Sequence, residues 1–343
     1  MKREPFSRLD RSPELRQKIL PYCRLKTGDI WQDPQSGHRI GVLDATKTND
    51  VMNVFQGEHA ALAIQDPPYN VIVGNENTSN LFKMNLQDYM RFSQQWVENT
   101  LAILSKDASV YIWLGADQKD HFQPLPDFML MMRAYPDLRS RSLITMRNQR
   151  GYGTQKNWMA VRQECLYYIK GDAYFDVHAE YTDIPKILRG YYKEIDGQIT
   201  ENFERSRSEN IRAGNVWVDV QQVFYRMQEN VPGCYAQKPL KAIERIVEAS
   251  SRTGDVITDF FAHSGTTLIV GERLKRRVVT FDADEIFAEI ALRRLEHFRK
   301  TGKTGWQCDN PFPEIPDFMF DADINEQPEE RKKARYVLQS SLF

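Results

Sequence analysis

The sequence "DVITDFFAHSGTTLIVGERLKRRVVTFD", residues 255–282, contains a complete pattern of strand, turn, helix and strand. "DVITDFF" is rich in apolar β-forming side chains, a short turn around Gly265 follows, and "TTLIVGERLK" has helical spacing. "RRVVTFD" is a second apolar run, which ends on Asp282. Two strands joined by a helix are typically parallel neighbours in one sheet, with the helix packed on a face of that sheet. The stretch therefore predicts an α/β fold.

The same alternation continues on both sides of this stretch. Upstream, the strand "LAI" before Asp66 leads to the helix "NLQDYMRFSQQWVENTLAIL", the strand "ASVYIWLG", the helix "LPDFMLMMRAY" and the strand "RSLITM". The helical "PLKAIERIVEASS" precedes it directly, and the helical "EIFAEIALRRLEHF" follows it. From Arg147 to about residue 229 the sequence is polar and irregular, apart from the strand-like "QECLYYIK". We expect a largely parallel sheet, covered on both faces, with an insert.

Composition limits the classes of protein. The chain has 343 residues and a net charge of -1, so its overall charge does not indicate a nucleic-acid partner. The cysteines form no CxxC pair, which argues against zinc and predicts no metal site and a reducing compartment. The N-terminal residues lack an apolar core of signal-peptide length, and no later run is long enough for a bilayer. These features predict a cytoplasmic protein without a membrane partner.

The turn after Asp259 has the chemistry of a nucleoside-binding site. Backbone N–H groups at the start of the helix, near Thr266 and Thr267, have no acceptor within the helix and favour a polar or anionic ligand. Asp282 ends the next strand, where an acid accepts hydrogen bonds from ribose hydroxyls. No P-loop lysine or GxGxxG run is present, which disfavours a triphosphate or pyrophosphate. The alternative is a simple helix cap beside a strand-end acid.

A second strand end carries the rigid tetrapeptide Asp66-Pro67-Pro68-Tyr69. Proline fixes the backbone and removes a donor, so the Asp66 carboxylate and the Pro67 carbonyl are two acceptors held close together. Two such acceptors suit an exocyclic amine with two N–H bonds, and Tyr69 offers a flat face on which a base stacks. An ordinary strand-terminating turn is the other interpretation of this tetrapeptide.

Four segments together resemble the β group of amino-group DNA methyltransferases. "DPPY" is similar to their catalytic motif, "DFFAHSGTT" to their cofactor motif, and "QKPLKAIERIVEASSRTGDVI" and "VVTFDADEIFAEIALRRL" to the segments that flank the cofactor motif. The similarity covers about residues 40–300. It implies a Rossmann-like fold that depends on S-adenosylmethionine. It also implies a circular permutation, in which the catalytic motif precedes the cofactor motif, and an inserted target-recognition region.

The resemblance divides the chain into five segments. These are an N-terminal extension (1–40), a catalytic half (41–170), a target-recognition insert (171–230), a cofactor-binding half (231–308) and a C-terminal arm (309–343).

The resemblance also implies residue roles. Asp66 and the Pro67 carbonyl hold the target amine, next to Pro68, and Tyr69 stacks on a base flipped out of the duplex. The implied cofactor-binding residues are Asp44, Gln237, Lys238, Asp259, Phe261, Ala262, His263, Ser264, Gly265, Thr266, Thr267 and Asp282.

His263 departs from the pattern of the family, because it replaces the first glycine of the cofactor loop. Either the loop accommodates this side chain or cofactor binding is weakened. The intact residues 264–267 favour the first outcome.

The resemblance implies transfer of a methyl group from S-adenosylmethionine to the N6 amine of adenine in double-stranded DNA, since "DPPY" is typical of adenine enzymes. Three alternatives stay open: an N4-cytosine enzyme, a catalytically silent DNA-binding relative, and an RNA substrate. A cognate restriction nuclease and a homodimer are expected partners of such a protein.

A local excess of positive charge predicts the face that contacts DNA. Between residues 133 and 170 the chain has eight basic residues against two acidic ones, interleaved with Tyr152 and Trp158. The alternative is a solvated basic surface. The residues that we expect to contact phosphates are Arg147, Arg150, Lys156 and Arg162.

Overall fold

The computed structural model describes residues 8–10, 12–68, 84–115, 122–154, 157–179, 181–185, 192–201 and 209–316. The strands in these ranges are β1 (Ile30–Gln32), β2 (Arg39–Val42), β3 (Ala60–Gln65), β4 (Leu104–Leu114), β5 (Leu138–Thr154), β6 (Asn157–Lys170), β7 (Tyr181–Pro185), β8 (Tyr192–Ile195), β9 (Gln198–Glu201), β10 (Asn210–Arg212), β11 (Val216–Trp217), β12 (Val256–Asp259) and β13 (Arg277–Asp282). The α-helices are α1 (Pro13–Ile19), α2 (Thr48–Phe55), α3 (Leu86–Ile103), α4 (Pro124–Met132), α5 (Leu240–Ser250), α6 (Thr266–Arg273) and α7 (Glu285–Thr301).

A nine-stranded sheet in the order β1-β2-β13-β12-β3-β4-β6-β5-β11 organises the fold. The five strands from β2 to β4 in this order are parallel, and β6 is antiparallel to both of its neighbours. The chain leaves β12 through α6 toward one side of the sheet, and it leaves β3 through α3 toward the other. The adjacent strands β12 and β3 therefore form the topological switch point, where open α/β sheets bind ligands beyond the carboxyl ends of the strands.

Helices cover both faces of the sheet. Along β4, Tyr111 and Trp113 join one buried cluster with α5, α6 and α7. Val110, Ile112 and Leu114 point to the opposite face and join a second cluster with α2, α3 and α4. This alternation within a continuous apolar run is the pattern of a strand buried on both faces. The predicted α/β architecture of Rossmann-like type is confirmed, whereas the circular permutation stays a prediction.

The described part of residues 147–229 is more regular than the sequence suggests. β5 continues through residues 147–154, and the paired strands β7–β10 and β8–β9 lie within the stretch that we expected to be irregular. That expectation was wrong because these strands are held by cross-strand hydrogen bonds, while their side chains lack the apolar alternation that marks a half-buried strand.

The segment boundaries stay a prediction. β2 begins inside the predicted N-terminal extension, and β11 of the predicted insert joins the main sheet. Phe312 and Ile315 of the predicted C-terminal arm are buried against Leu9 and Leu15. No α-helix among the described residues is long and apolar enough to cross a membrane.

Candidate functional site

The carboxyl ends of β3 and β12 are joined by a buried glutamine, Gln65. Its Oε1 accepts a hydrogen bond from the Phe260 backbone N–H at 2.9 Å, and its Nε2 donates to Thr100 Oγ1 at 3.1 Å. Gln65 thereby fixes the position of Asp66, the next residue, relative to the loop that follows Asp259. Sequence reasoning missed this residue, although a glutamine that ends the apolar run "ALAIQ" was the available signal.

Asp66 forms an ion pair with Lys238 at the carboxyl end of β3. Lys238 Nζ donates to Asp66 Oδ1 at 2.8 Å and to Oδ2 at 2.7 Å. The lysine side chain is 7% exposed and the aspartate side chain 24% exposed. The same ammonium lies 5.2 Å from the centroid of the Trp113 ring. Pro67 and Pro68 follow Asp66 in the described chain, whereas Tyr69 lies outside the described residues.

The pocket at the switch point brings the two predicted motifs together. Its wall is apolar on one side, where Ile64, Trp113 and Ile243 line it. The remaining lining residues are Asp66, Lys238, Asp259, Phe261, Ala262, His263, Ser264, Thr266 and Thr267. A pocket with an apolar wall and a few convergent polar groups has the make-up of a small-molecule site.

Asp259 is a buried acid that organises the cofactor loop. Its Oδ2 accepts from Thr267 Oγ1 at 2.7 Å, and its Oδ1 accepts from the Phe261 backbone N–H at 3.0 Å. Burial raises the pKa of Asp259 to about 8, and the nearby carboxylates of Asp66 and Asp282 act in the same direction. Near neutral pH this carboxyl group is therefore largely protonated.

Gly265 occupies the position where the loop enters α6. Its φ of +73° is left-handed, and a Cβ at this position would lie 2.9 Å from the Ala291 backbone in α7. Only a glycine allows both this conformation and this close approach without strain. The turn leads directly into the N-terminus of α6, where Ser264 Oγ and Thr266 Oγ1 are 3.2 Å apart.

His263 is accommodated within the loop. It takes a left-handed conformation with a φ of +43°, and its ring packs against Phe287 of α7 with the two centroids 4.7 Å apart. Burial lowers the pKa of His263 to about 4, so the ring is neutral at physiological pH. The loop therefore keeps a left-handed turn at this position although a glycine is absent.

Asp282 ends β13 and accepts two backbone N–H groups. Its Oδ2 accepts from His263 at 2.9 Å and its Oδ1 from Asp284 at 3.0 Å. Burial and the nearby Asp284 raise the pKa of Asp282 to about 7. Each carboxylate oxygen can accept a second hydrogen bond, which matches the need of a ligand with hydroxyl donors.

Four of the predicted cofactor residues are not among those that line this pocket: Gly265 and Asp282, described above, and Asp44 and Gln237. The Asp44 carboxylate accepts from the Thr46 backbone at 2.9 Å and from the Thr46 hydroxyl at 2.7 Å, in a turn that follows β2. Gln237 accepts from the Val231 N–H at 3.0 Å and donates to the Glu229 carbonyl at 2.8 Å. Gln237 therefore supports the loop that carries Lys238, and the ligand contacts of all four residues stay predictions.

Arg294 is a second residue that sequence reasoning missed. It is fully buried in α7 and donates to three carbonyls: Ser264 at 2.7 Å, Thr304 at 2.7 Å and Glu229 at 3.1 Å. Burial lowers the pKa of Arg294 to about 10, so it stays charged at neutral pH. It ties the cofactor loop to the loop before α5. Its sequence context, "LRRLEHF", is that of an ordinary charged helix and gives no signal of burial.

The β5–β6 hairpin extends beyond the edge of the sheet where Asp66 lies. β4 ends at Leu114, which pairs with Glu164, while β5 and β6 continue past this point. Arg147 and Arg162 are exposed and directly opposite each other on the extension. Trp158, farther along the extension, is 92% exposed. Of the other two predicted DNA contacts, Arg150 belongs to β5 and Lys156 lies outside the described residues.

Comparison with known proteins gives a consistent set of similarities. The family described as DNA methylase (N6_N4_Mtase) matches residues 60–293. The type II methyltransferase M.HpaI of Haemophilus parainfluenzae is 26% identical over 235 residues, which cover 68% of this chain and 68% of that protein. The DNA adenine methyltransferase YhdJ of Escherichia coli (strain K12) is 28% identical over 253 residues, which cover 70% of this chain and 77% of that protein.

A solved structure shows the same fold. The PvuII DNA methyltransferase, described as cytosine-N4-specific, superposes with a TM-score of 0.53 at 12% sequence identity. The match covers 77% of this chain and 89% of that protein.

Proposed function

The chain belongs to the DNA methylase family, and from this premise we propose that it transfers a methyl group from S-adenosylmethionine to the N6 amine of adenine in double-stranded DNA. The observation that carries the proposal is the pocket at the switch point. There the Asp66 carboxylate and the loop of residues 261–267 line one space.

The lining residues fit S-adenosylmethionine together with Asp282, which is hydrogen-bonded to the backbone of the lining residue His263. The proposed ribose acceptor is Asp282, each of whose oxygens already accepts one backbone N–H and retains a lone pair. Phe261 and Ile243 offer apolar surface to the adenine ring, and residues 264–267 approach the ligand with the N-terminus of α6. When bound, the cofactor supplies an electrophilic methyl group on a sulfonium sulfur.

Asp66 and Pro67 prepare the target amine for attack. An exocyclic amine is a poor nucleophile because its lone pair is conjugated with the ring. Hydrogen bonds from its two N–H groups to the Asp66 carboxylate and the Pro67 carbonyl localise that lone pair on nitrogen. Catalysis in this proposal depends on positioning and electrostatics, with no covalent enzyme intermediate. The stacking role of Tyr69 on a flipped base stays a prediction.

The target base is adenine in this proposal, with N4 of cytosine as the second candidate. An aspartate before the two prolines and the relationship to the adenine methyltransferase YhdJ support adenine. The fold likeness to a cytosine-N4-specific enzyme motivates the second candidate. Digestion of methylated DNA to nucleosides, followed by mass spectrometry, distinguishes N6-methyl-2′-deoxyadenosine from N4-methyl-2′-deoxycytidine directly.

An Asp66→Ala variant tests the catalytic assignment. We expect kcat for DNA methylation to fall by at least about 10³-fold, because the target amine loses its charged acceptor. Calorimetry should give a Kd for S-adenosylmethionine close to that of the wild type. Asp66→Asn is the matched isosteric variant and should also be inactive. Turnover retained in both variants would contradict the assignment. Absence of cofactor binding by the wild type would favour the catalytically silent alternative.

The proposed DNA contacts extend from the pocket along the β5–β6 hairpin. Its cross-strand arginines, Arg147 and Arg162, place like charges opposite each other, an arrangement that costs stability unless an anion is bound between them. Arg162 Nε also lies 3.4 Å from Glu164 Oε1, which offsets part of this repulsion. We assign phosphate contacts to this pair and, with the same reasoning from charge, to Arg150 and Lys156.

Two partners and a location complete the proposal. The type II methyltransferases among the relatives support a role beside a cognate restriction nuclease. A homodimer is carried over from the resemblance, and light scattering tests it. A protein with a DNA substrate in such a system acts in the cytoplasm.

A further inference from the structure

The Lys238–Asp66 contact joins the two halves of the proposed active site. The two residues are 172 positions apart, and both Asp66 oxygens accept from the same ammonium, at 2.8 and 2.7 Å. The sequence resemblance places Lys238 beside the cofactor. In the structure its charged end instead meets the carboxylate that is proposed to accept the target amine.

Lys238 is itself held on several sides. Pro239, the next residue, caps the N-terminus of α5 and fixes the backbone in an extended conformation. The Lys238 carbonyl accepts from Thr266 Oγ1 at 3.2 Å, which ties it to the first turn of α6. Its ammonium lies over the Trp113 ring. A lysine with its backbone and side chain fixed in this way offers a rigid donor, although lysine is normally among the most flexible residues.

Lys238 is the positively charged group of a pocket that also contains carboxyl groups. Asp66 and Asp259 line the pocket with it, and Asp282 contributes to the field that acts on Asp259. Lys238 donates to both oxygens of the Asp66 carboxylate and so fixes the plane in which their other lone pairs lie.

We propose that Lys238 is a positioning residue for Asp66: it fixes the plane of the carboxylate that accepts the target amine, and it is not a ligand of the cofactor. This inference rests on the proposed function, since it concerns the orientation of the proposed catalytic carboxylate. Its consequence is that Lys238 acts on the catalytic step and leaves cofactor affinity unchanged.

A Lys238→Met variant distinguishes a positioning role for Lys238 from a cofactor-binding role, since methionine keeps apolar contact with Trp113 but has no charge. We expect kcat to fall about 10²-fold, the loss typical of a displaced reacting group, while KM and Kd for S-adenosylmethionine stay close to wild type. Lys238→Arg should recover part of kcat, because it restores the positive charge and its donors. A general loss of folding would change kcat and Kd together and would not respond to arginine.

The matched control is Lys300→Met, in the exposed last turn of α7, which should leave kcat and Kd unchanged. A Lys238→Met enzyme whose Kd for S-adenosylmethionine rises while kcat at saturating cofactor is retained would overturn the inference. That outcome would assign Lys238 to the cofactor. If the wild type shows neither methylation nor cofactor binding, the proposed function itself fails.

A double-mutant cycle tests the Lys238–Asp66 pair through protein stability, without a measurement of activity. Asp66→Asn and Lys238→Met should each lower the melting temperature of the ligand-free protein by a few degrees, since each leaves a partly buried charge without its counter-charge. The combined variant should lose clearly less than the sum of the two shifts. Strictly additive shifts would show that the two side chains do not act as a pair, and they would overturn the inference.

Discussion

Two carboxyl groups at neighbouring strand ends, the buried Asp259 and the partly exposed Asp282, relate individual residues to ligand binding. Asp259 and Asp282 have pKa values raised to about 8 and about 7, with burial as the main cause in both cases. Such values keep protonated and ionised forms of these groups close in free energy near neutral pH. Perturbed carboxyl groups that share a cleft are a mark of functional sites, because burying them costs stability that binding can recover.

Cofactor affinity should depend on pH through Asp282. Below pH 7 this carboxyl group is protonated and must lose a proton to accept two ribose hydroxyls, so Kd rises by up to about tenfold per pH unit as the pH falls. Calorimetry between pH 6 and pH 8 measures this trend. Asp282→Asn should bind more weakly and should lose the part of the pH dependence that Asp282 causes, while any part due to Asp259 or to the ligand remains. An equally steep trend in that variant would contradict the assignment.

The pH dependence of the stability of the ligand-free protein is a second test of Asp282, because its direction follows from the raised pKa. The folded-state pKa of Asp282, about 7, lies above the ordinary value of 3.8. The contribution of this group to stability is therefore fully present below about pH 4 and is lost as the pH rises through 7. The melting temperature of Asp282→Asn should consequently fall less between pH 6 and pH 8 than that of the wild type.

Sequence patterns identified the acids of this site but not their partners. Asp66, Asp259 and Asp282 could be found because strand ends and short motifs are local features of the chain. The contacts of Gln65 with Phe260 and of Lys238 with Asp66 span 195 and 172 residues. Nothing in the local sequence of either residue specifies a partner that far away, so these contacts required the structure.

At the scale of elements, apolar periodicity was sufficient to predict the strands of the central sheet but not the outer part of β5, which extends beyond it. The runs ending at Gln65 and Asp259 are buried on both faces, so their composition alone marks them as strands. The outer part of β5 instead pairs with β6 through backbone hydrogen bonds and irregular register. Those bonds impose no hydrophobic pattern, which is why this part was read as irregular.

The β5–β6 hairpin should contribute a salt-dependent part of DNA affinity. Removing both exposed arginines, in an Arg147→Ala/Arg162→Ala variant, should make the slope of log K against log salt shallower by about one unit per arginine, because two phosphate contacts are lost. Fluorescence anisotropy of a labelled duplex at several salt concentrations measures the slope.

The matched control for this measurement is Lys300→Ala/Lys303→Ala, near the C-terminal end of α7. It removes the same amount of charge. The N-terminus of α7 follows the carboxyl end of β13, whereas these two lysines lie at the other end of the helix. Its slope should equal that of the wild type. Equal slopes in all three proteins would show that the hairpin is only a solvated basic surface.

At the scale of the whole molecule, the two ends of the described chain pack on the same helix. Leu15 and Ile19 of α1, Ile290 of α7, and Trp306 and Phe312 form one buried cluster. α7 thus contacts the cofactor loop through Ala291, which lies against Gly265, and through Arg294, and it contacts the chain ends with its first turns. Periodicity predicted α7 as an amphipathic helix. It could not predict this role, because three segments distant in sequence meet on one helix.

Arg294 should therefore be a determinant of global stability. Arg294→Met removes a donor from the carbonyls of Ser264 and Thr304 and one of the two donors of the Glu229 carbonyl, which keeps Gln237, and we expect the free energy of unfolding to fall by about 3 kcal/mol. Urea denaturation should show a lower midpoint with an unchanged m-value.

The adjacent Arg293→Met is the matched control for Arg294→Met. Arg293 pairs with the buried Glu289, which also pairs with Arg24, and with the more exposed Glu314, and its guanidinium lies over the Phe312 ring. Its loss should cost less than the loss of Arg294, because Arg24 still pairs with Glu289. Because the Arg294→Met change also releases the Ser264 carbonyl of the cofactor loop, saturating S-adenosylmethionine should raise its midpoint less than that of the Arg293→Met protein. Equal midpoints for the two variants would mean that the buried arginine does not join the loops as its hydrogen bonds indicate.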